Sequence, residues 1–268
     1  MSIIEAIKKR ESVRTYTGER LSEELISQIG QFIAQHKAPF GVNVRIELIN
    51  TVAGEKPVKL GTYGFIGGAS DYLVLIYEEA PMAEEGAAYL FEQVILFCTD
   101  LGLGTCWLGG SFSRGDFKKQ IELRSNEVLR IVSPIGYKSD KKRFIESLIK
   151  PESRKKNPRK PFNALFFDKD FTTPLEEDKA GIYRQPLEMV RLGPSANNKQ
   201  SWRVILDGNV LHFYKTPAYG FSAIDMGIAL CHFEQTCIGL GIKGKFKVLD
   251  APQDKSAQYS ISWISQNE

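Results

Sequence analysis

The chain has 268 residues, of which 43% are hydrophobic and 25% charged, and a net charge of +3. That is enough apolar material to bury a sizeable core without disulfide or metal staples, and too little positive charge to argue for a nucleic-acid partner. No apolar run is long enough to span a membrane. The N-terminus MSIIEAIKKRES carries Glu5 and has no apolar stretch of the kind a signal peptide needs, so none is expected there; with the cysteines reduced, the expected location is the cytoplasm.

In chain order, residues 2–9 predict a short helix. Ser22 predicts the N-cap of a second one, with acids in the first turn and Leu25, Ile29, Phe32 and Ile33 on its apolar stripe. Residues 44–50 alternate as a half-buried strand, and YLVLIY (72–77) is a continuous apolar run, hence a central strand. Residues 83–101 predict a long helix with so little polar face that it should be buried nearly all round. LGLGTCWLGG ends it, its glycines supplying C-cap and turn geometry. Residues 128–136 predict another strand. The stretch 138–160 is basic, with prolines at 151, 158 and, just beyond, 161, and reads as a surface connection.

The pattern then partly repeats. A helix is expected over 175–192, strands over 202–206 and 210–214, a second apolar helix over 223–240, and strands over 244–250 and 257–264. CTDLGLGTCW (98–107) matches CIGLGIKGKF (237–246), each after a buried helix and each keeping Cys, Leu and Gly at the same offsets. The order helix, strand, buried helix, Leu-Gly turn, strand recurs in both halves. The chain therefore reads as two diverged copies of one α/β (α+β) unit, the first over 1–150 and the second over 151–268.

Cys98, Cys106, Cys231 and Cys237 form no C-x-x-C pair and read as reduced, buried, structural residues. His36, His212 and His232 pair with no Cys or second His at ligand spacing, so no metal site and no His-based triad is expected.

Four segments could carry chemistry. In an extended Arg10-Glu11-Ser12-Val13-Arg14, residues two apart share a face, so two guanidinium forks and a hydroxyl would stand together and suit a terminal phosphate. The alternative is the solvated basic end of helix 2–9. GPSANNKQSW (193–202) lies between a helix and a strand, and its amides can donate and accept at a uracil-like ring edge. The alternative is a turn built from ordinary turn residues. GLGTCWLGG (102–110) lacks the spacing of a dinucleotide-binding fingerprint, but its glycines would let backbone N–H groups approach a planar ring. They equally serve as a plain helix stop. Lys141-Lys142-Arg143 is a second basic cluster, or simply a solvated run.

Together these segments resemble the nitroreductase superfamily of FMN enzymes. Arg10-x-Ser12-x-Arg14 is similar to its N-terminal phosphate motif, and GPSANNKQSW to its A-P-S-x-x-N-x-Q-P-W loop. EQVILFCTDLGLGTCWLGG looks like its buried helix and flavin-facing turn, and IGYKSDKKR like its late strand and basic phosphate contact. A branch described as putative TM nitroreductases looks closest, because it also joins two half-copies in one chain. The resemblance implies that Arg10, Ser12 and Arg14 hold the FMN phosphate and ribityl chain, with Lys141 and Arg143 completing the phosphate site. Pro194, Ser195 and Asn198 would line the isoalloxazine ring. Leu108, Gly109 and Gly110 would supply backbone near its redox-active edge, while Gln200 and Trp202 support the loop. Three positions depart from the pattern: Ala196 replaces a common second Ser, Ser201 replaces the usual Pro, and Gly109 lies where many relatives carry an acid.

The activity implied is hydride transfer from NADH or NADPH to flavin N5, followed by two-electron reduction of a nitroaromatic, a quinone or another small acceptor. No general acid or base is assigned. A flavin-binding module without turnover, for FMN storage or redox sensing, is the alternative. Ordinary relatives are homodimers in which one subunit brings the phosphate motif and the other the loop. Here the phosphate motif occurs only in the first half and the loop only in the second, where the matching stretch of half one reads KAPFGVNVR. This complementary loss predicts an intramolecular pseudo-dimer with one FMN per chain held between the halves, the helices 83–101 and 223–240 packing across the pseudo-two-fold. A monomer would then suffice, further dimerisation being left open, with a small-molecule acceptor as partner and neither nucleic acid nor membrane.

Overall fold

The computed structural model describes residues 1–51, 60–140, 159–217 and 220–266. It divides into two compact units, one formed by Lys9–Lys156 and the other by Met1–Lys8 with Asn157–Glu268.

In the Lys9–Lys156 unit, helix α2 (Glu23–Gln35) starts at Ser22, whose hydroxyl accepts from the Leu25 N–H at 3.2 Å. An N-cap Ser with acids in the first turn is the arrangement that satisfies the open N–H groups of a helix start. Strands β1 (Val44–Asn50), β2 (Asp71–Glu78), β3 (Gly104–Thr105) and β4 (Glu127–Gly136) form an antiparallel sheet in the order β1-β2-β4-β3. Seven of the eight β2 residues are buried, as a strand covered on both faces requires. Between β2 and β3 runs α3 (Ala83–Asp100), with 14 buried residues. A short α4 (Arg114–Lys118) buries Phe117 against Tyr72 and Phe112.

The second unit opens with Met1–Lys8, which includes all but the last residue of α1 (Ile3–Lys9). A Cβ on Gly239 would stand 3.0 Å from Ile3 Cγ2. Strands β5 (Phe166–Asp168), β6 (Trp202–Asp207), β7 (Val210–Lys215), β8 (Gly244–Lys247) and β9 (Gln258–Ser265) form a sheet in the order β5-β6-β7-β9-β8. Only β5 pairs in parallel, with β6. Helix α5 (Arg184–Leu192) precedes β6, and α6 (Ser222–Gly239) lies between β7 and β8 with 12 buried residues.

Leaving β5 aside, the two sheets share one connectivity. The order β1-β2-β4-β3 is repeated as β6-β7-β9-β8, with the long helix after the second strand each time. Even the register shifts match, between Leu75 and Ile76 in one pair and between Phe213 and Tyr214 in the other. The helix stops match too. Gly102 (φ 79°) and Gly241 (φ 71°) take the left-handed conformation that glycine tolerates best. The next N–H, of Leu103 or Ile242, donates back to Cys98 or Cys237 at 2.9 Å. The expected repeat is thus present down to individual hydrogen bonds.

Two expected elements change. The helix over 175–192 is a 3₁₀ segment, Glu177–Tyr183, followed by α5. Gly181 at φ 54°, ψ −131° breaks the run, and Pro186 falls in the first turn of α5, where a missing N–H costs little. The strand over 244–250 ends at Lys247. Gly244 heads it because the Trp263 indole lies on that position, within 2.5 Å of where a Cβ would be. All four cysteines are buried. No helix among the described residues is long and apolar enough to cross a membrane.

Candidate functional site

The segment after α1 is extended, and its backbone shows why. Val13 N–H donates to Thr105 O at 2.8 Å, Gly67 N–H to Arg14 O at 2.9 Å, and Tyr16 N–H to Gly67 O at 2.8 Å. Further along, Thr17 N–H donates to Tyr137 O and Ser139 N–H to Thr15 O, both at 3.0 Å. The segment is therefore held by β3, by the 67 loop and by the residues after β4. Val13 turns into the core and lies on Gly104, where a Cβ would meet it at 2.8 Å. Gly68 is needed for the same reason, since a Cβ there would stand 2.3 Å from Tyr16 O.

With Val13 buried, Arg10, Ser12 and Arg14 are brought together as the alternation requires. All three act on one sulfur, that of Cys106. Burial pushes the Cys106 thiol up, while the charges of Arg14 and Arg10 and a hydrogen bond with the Ser12 hydroxyl pull it down. The Arg10 side chain is only 7% exposed, and its Nε lies 4.0 Å from Oε1 of the fully buried Glu92. Nε and Nη1 of Arg10 have no hydrogen-bond partner among the described residues. Leaving such donors unfilled in a protein interior is costly. Two guanidinium groups and a hydroxyl, with buried donors unfilled, have the chemistry of a site for a phosphate monoester. The residues thus fit an FMN phosphate. Lys141 and Arg143 lie outside the described residues.

The GLGTCWLGG turn is anchored by the same buried carboxylate. Trp107 Nε1 donates to Glu92 Oε2 at 2.8 Å, and its ring stands edge-on to Phe91, centroids 5.0 Å apart. Cys106 N–H donates to Ser133 Oγ at 3.0 Å. Leu108 gives both backbone groups to Val132, at 2.9 and 3.1 Å, and its side chain is in the core. Its N–H is thus committed to the sheet, so Leu108 holds the turn from which Gly109, half-buried, and Gly110, exposed, emerge.

In the other unit, the loop between α5 and β6 is held on all sides. Ser195 Oγ accepts from the Gln200 N–H at 2.9 Å. The fully buried Gln200 side chain donates to Arg191 O at 3.2 Å and accepts from the Lys160 N–H at 2.7 Å. Arg159 donates to Asn198 Oδ1 at 2.8 Å and to Leu192 O at 2.9 Å. Trp202 is fully buried. Gln200 and Trp202 therefore support the loop, and Pro194, Ser195 and Asn198 stay partly exposed on it. Asn197, Asn198 and Gln200 have φ of 51°, 56° and 47°. Such left-handed values are uncommon for residues other than glycine and persist only where the surroundings impose them.

Two groups escaped the sequence reading. One is Glu92. The other is Asp225 on α6, 2% exposed, which accepts from the Ala196 N–H at 2.9 Å and the Ser201 hydroxyl at 2.6 Å. Both are buried acids within long, largely apolar helices, and that contrast is the signal that could have singled them out. The basic connection also proves less peripheral than expected, since its last residues, Arg159 and Lys160, dock on the loop. Among the described residues, no group of three or more His, Cys, Asp or Glu could hold a metal ion.

Comparison with known proteins assigns the class of protein. The family model described as "Putative TM nitroreductase" matches residues 2–237. The chain belongs to that family. A putative nitroreductase from Thermotoga maritima has the same fold, with a TM-score of 0.61 at 18% identity over 98% of this chain and 94% of that one. A nitroreductase with bound FMN from Bacteroides fragilis matches 54% of this chain and 92% of its own, at 19% identity and a TM-score of 0.42. A nitroreductase family protein from Clostridium difficile matches 60% of this chain and 94% of its own, at 18% identity and a TM-score of 0.45. Among curated proteins none matches the chain.

Proposed function

We propose that the protein is an FMN-dependent oxidoreductase that takes hydride from NADH or NADPH and reduces a nitroaromatic, a quinone or another small acceptor by two electrons. The observation that carries the reading is the Arg10 guanidinium, buried with Nε and Nη1 unfilled beside Ser12 and Arg14. Membership of the nitroreductase family supports it. When bound, FMN supplies the chemistry of accepting and passing on hydride.

The chain's own residues bind and orient. Arg10, Ser12 and Arg14 hold the phosphate and ribityl chain by charge-assisted hydrogen bonds, and Lys141 and Arg143 add positive charge at the phosphate. Pro194, Ser195 and Asn198 line the ring, on a loop fixed beforehand by Gln200, Arg159 and Asp225. Fixing it beforehand lowers the ordering cost of binding. Gly109 and Gly110 bring backbone to the redox-active edge, with Leu108 anchoring the turn.

Anaerobic stopped-flow mixing of the flavin-loaded protein with NADH or NADPH tests the reading. At least one of the two should bleach the flavin, and oxygen or a quinone should restore its colour. A flavin that stays oxidised with both would make the protein a flavin store or sensor.

A further inference from the structure

The two long helices correspond residue by residue. Both have 18 residues, and the shift of 139 positions that takes Cys98 to Cys237 also takes Gly102 to Gly241. The same shift takes Gly86 to Asp225. Each position lies under the segment that joins the preceding helix to the first long strand of its own unit.

At Gly86 that segment is packed onto the helix. A Cβ there would come within 2.4 Å of Val42 Cγ2 and 2.9 Å of Pro39 O. At Asp225 a carboxylate fills the corresponding place. Oδ1 accepts from the Ala196 N–H at one end of the loop, and Oδ2 from the Ser201 hydroxyl at the other. Between these two tethers lie the three left-handed residues Asn197, Asn198 and Gln200. A buried carboxylate is costly unless hydrogen-bonded, and here both bonds go to this one loop. Ser201 stands where the resembling motif has Pro, which has no hydroxyl to donate.

We propose that Asp225 is the positioning residue of the Pro194–Asn198 loop, its carboxylate holding the backbone in the strained form that receives the flavin ring. Gly86 accounts for the other half. Without a carboxylate there, the Pro39–Asn43 segment closes onto α3 and keeps no ring-binding form. The inference rests on the flavin reading given above, and the experiment separates the two.

Apoprotein of the wild type, Asp225→Leu, Asp225→Asn and Ser201→Ala is titrated with FMN and with riboflavin by fluorescence, and its melting is followed by circular dichroism. Asp225→Leu removes both acceptors and keeps the branched side-chain shape. It should weaken FMN and riboflavin alike by about tenfold or more, the size expected for losing two charge-assisted bonds that order a loop. Ser201→Ala should weaken both by less. Asp225→Asn, which can still accept from Ala196 and donate to Ser201, should recover most of the affinity. Riboflavin lacks the phosphate, so an equal loss for both flavins locates the effect at the ring. Where riboflavin binds too weakly to titrate, a changed visible band of bound FMN in Ser201→Ala and Asp225→Leu serves instead. If Asp225→Leu does not fold, Ser201→Ala decides by the same criteria. Wild-type affinity and spectrum in Asp225→Leu or, where that variant does not fold, in Ser201→Ala, or a loss confined to FMN, would overturn the proposal. A wild type that binds neither flavin would instead overturn the flavin reading itself.

Discussion

At the scale of single residues, the proposed site rests on Arg10, Ser12 and Arg14 and on the Glu92 carboxylate buried beside Arg10. Arg10, Ser12 and Arg14 stand out because extended backbone puts every second side chain on one face, a rule that needs no tertiary information. Glu92 is 82 positions from Arg10 in sequence and lies at 4.0 Å in space, in a helix whose pattern reads as largely apolar. No local rule links the two. The same holds for Asp225 and the Ala196 N–H, which meet only once α6 is packed under the loop. The trio makes a direct prediction. Arg14→Ala removes a charge-assisted contact and should cost roughly 1.5–3 kcal/mol of FMN binding, or about ten- to a hundredfold in affinity. Riboflavin binding should change much less, because it offers no phosphate. Fluorescence titration measures both, and unchanged FMN affinity would remove Arg14 from the phosphate site.

At the scale of elements, the long helices and central strands follow their expected bounds closely, because each is set by a sustained period and a clear stop. The failures share a different cause. Gly181 interrupts the 175–192 pattern by backbone conformation, which apolar spacing does not register. Strand β5 has three residues and exists through its pairing with β6. The pairing of α6 with the loop carries a pH signature. Burial pushes the Asp225 carboxyl up to about 6 from 3.8, against the pull of the Ser201 and Ala196 hydrogen bonds. Between about pH 4 and pH 6 the unfolded chain loses this proton while the folded chain keeps it, so Asp225 makes stability fall as pH rises through that window. The loss is complete above pH 6 and amounts to about 2–3 kcal/mol for a shift of about two units. Asp225→Asn does not titrate. Its stability relative to wild type, from urea unfolding, should therefore rise by about that amount between pH 4 and pH 7. A difference that stays constant with pH would show that the carboxyl is not raised.

At the scale of the whole molecule, the repeat was readable from ten-residue matches at 98–107 and 237–246, and the shared strand connectivity bears it out. That Met1–Lys8 belongs with the chain from Asn157 onward was not legible, because a short amphipathic helix does not encode its destination. Each of the two proposed binding motifs occurs once. Arg10, Ser12 and Arg14 have no counterpart beside Tyr183–Pro186, and Ser195–Asn198 has none beside Phe40–Asn43. A symmetric homodimer repeats every contact, and joining two copies in one chain lifts that requirement, so each copy can keep a different part. On the proposed function, the chain then carries the residues for one flavin. Equilibrium titration of the apoprotein with FMN tests this most directly. The account predicts saturation at one tight equivalent per chain; no binding, or two equivalent tight sites per chain, would contradict it.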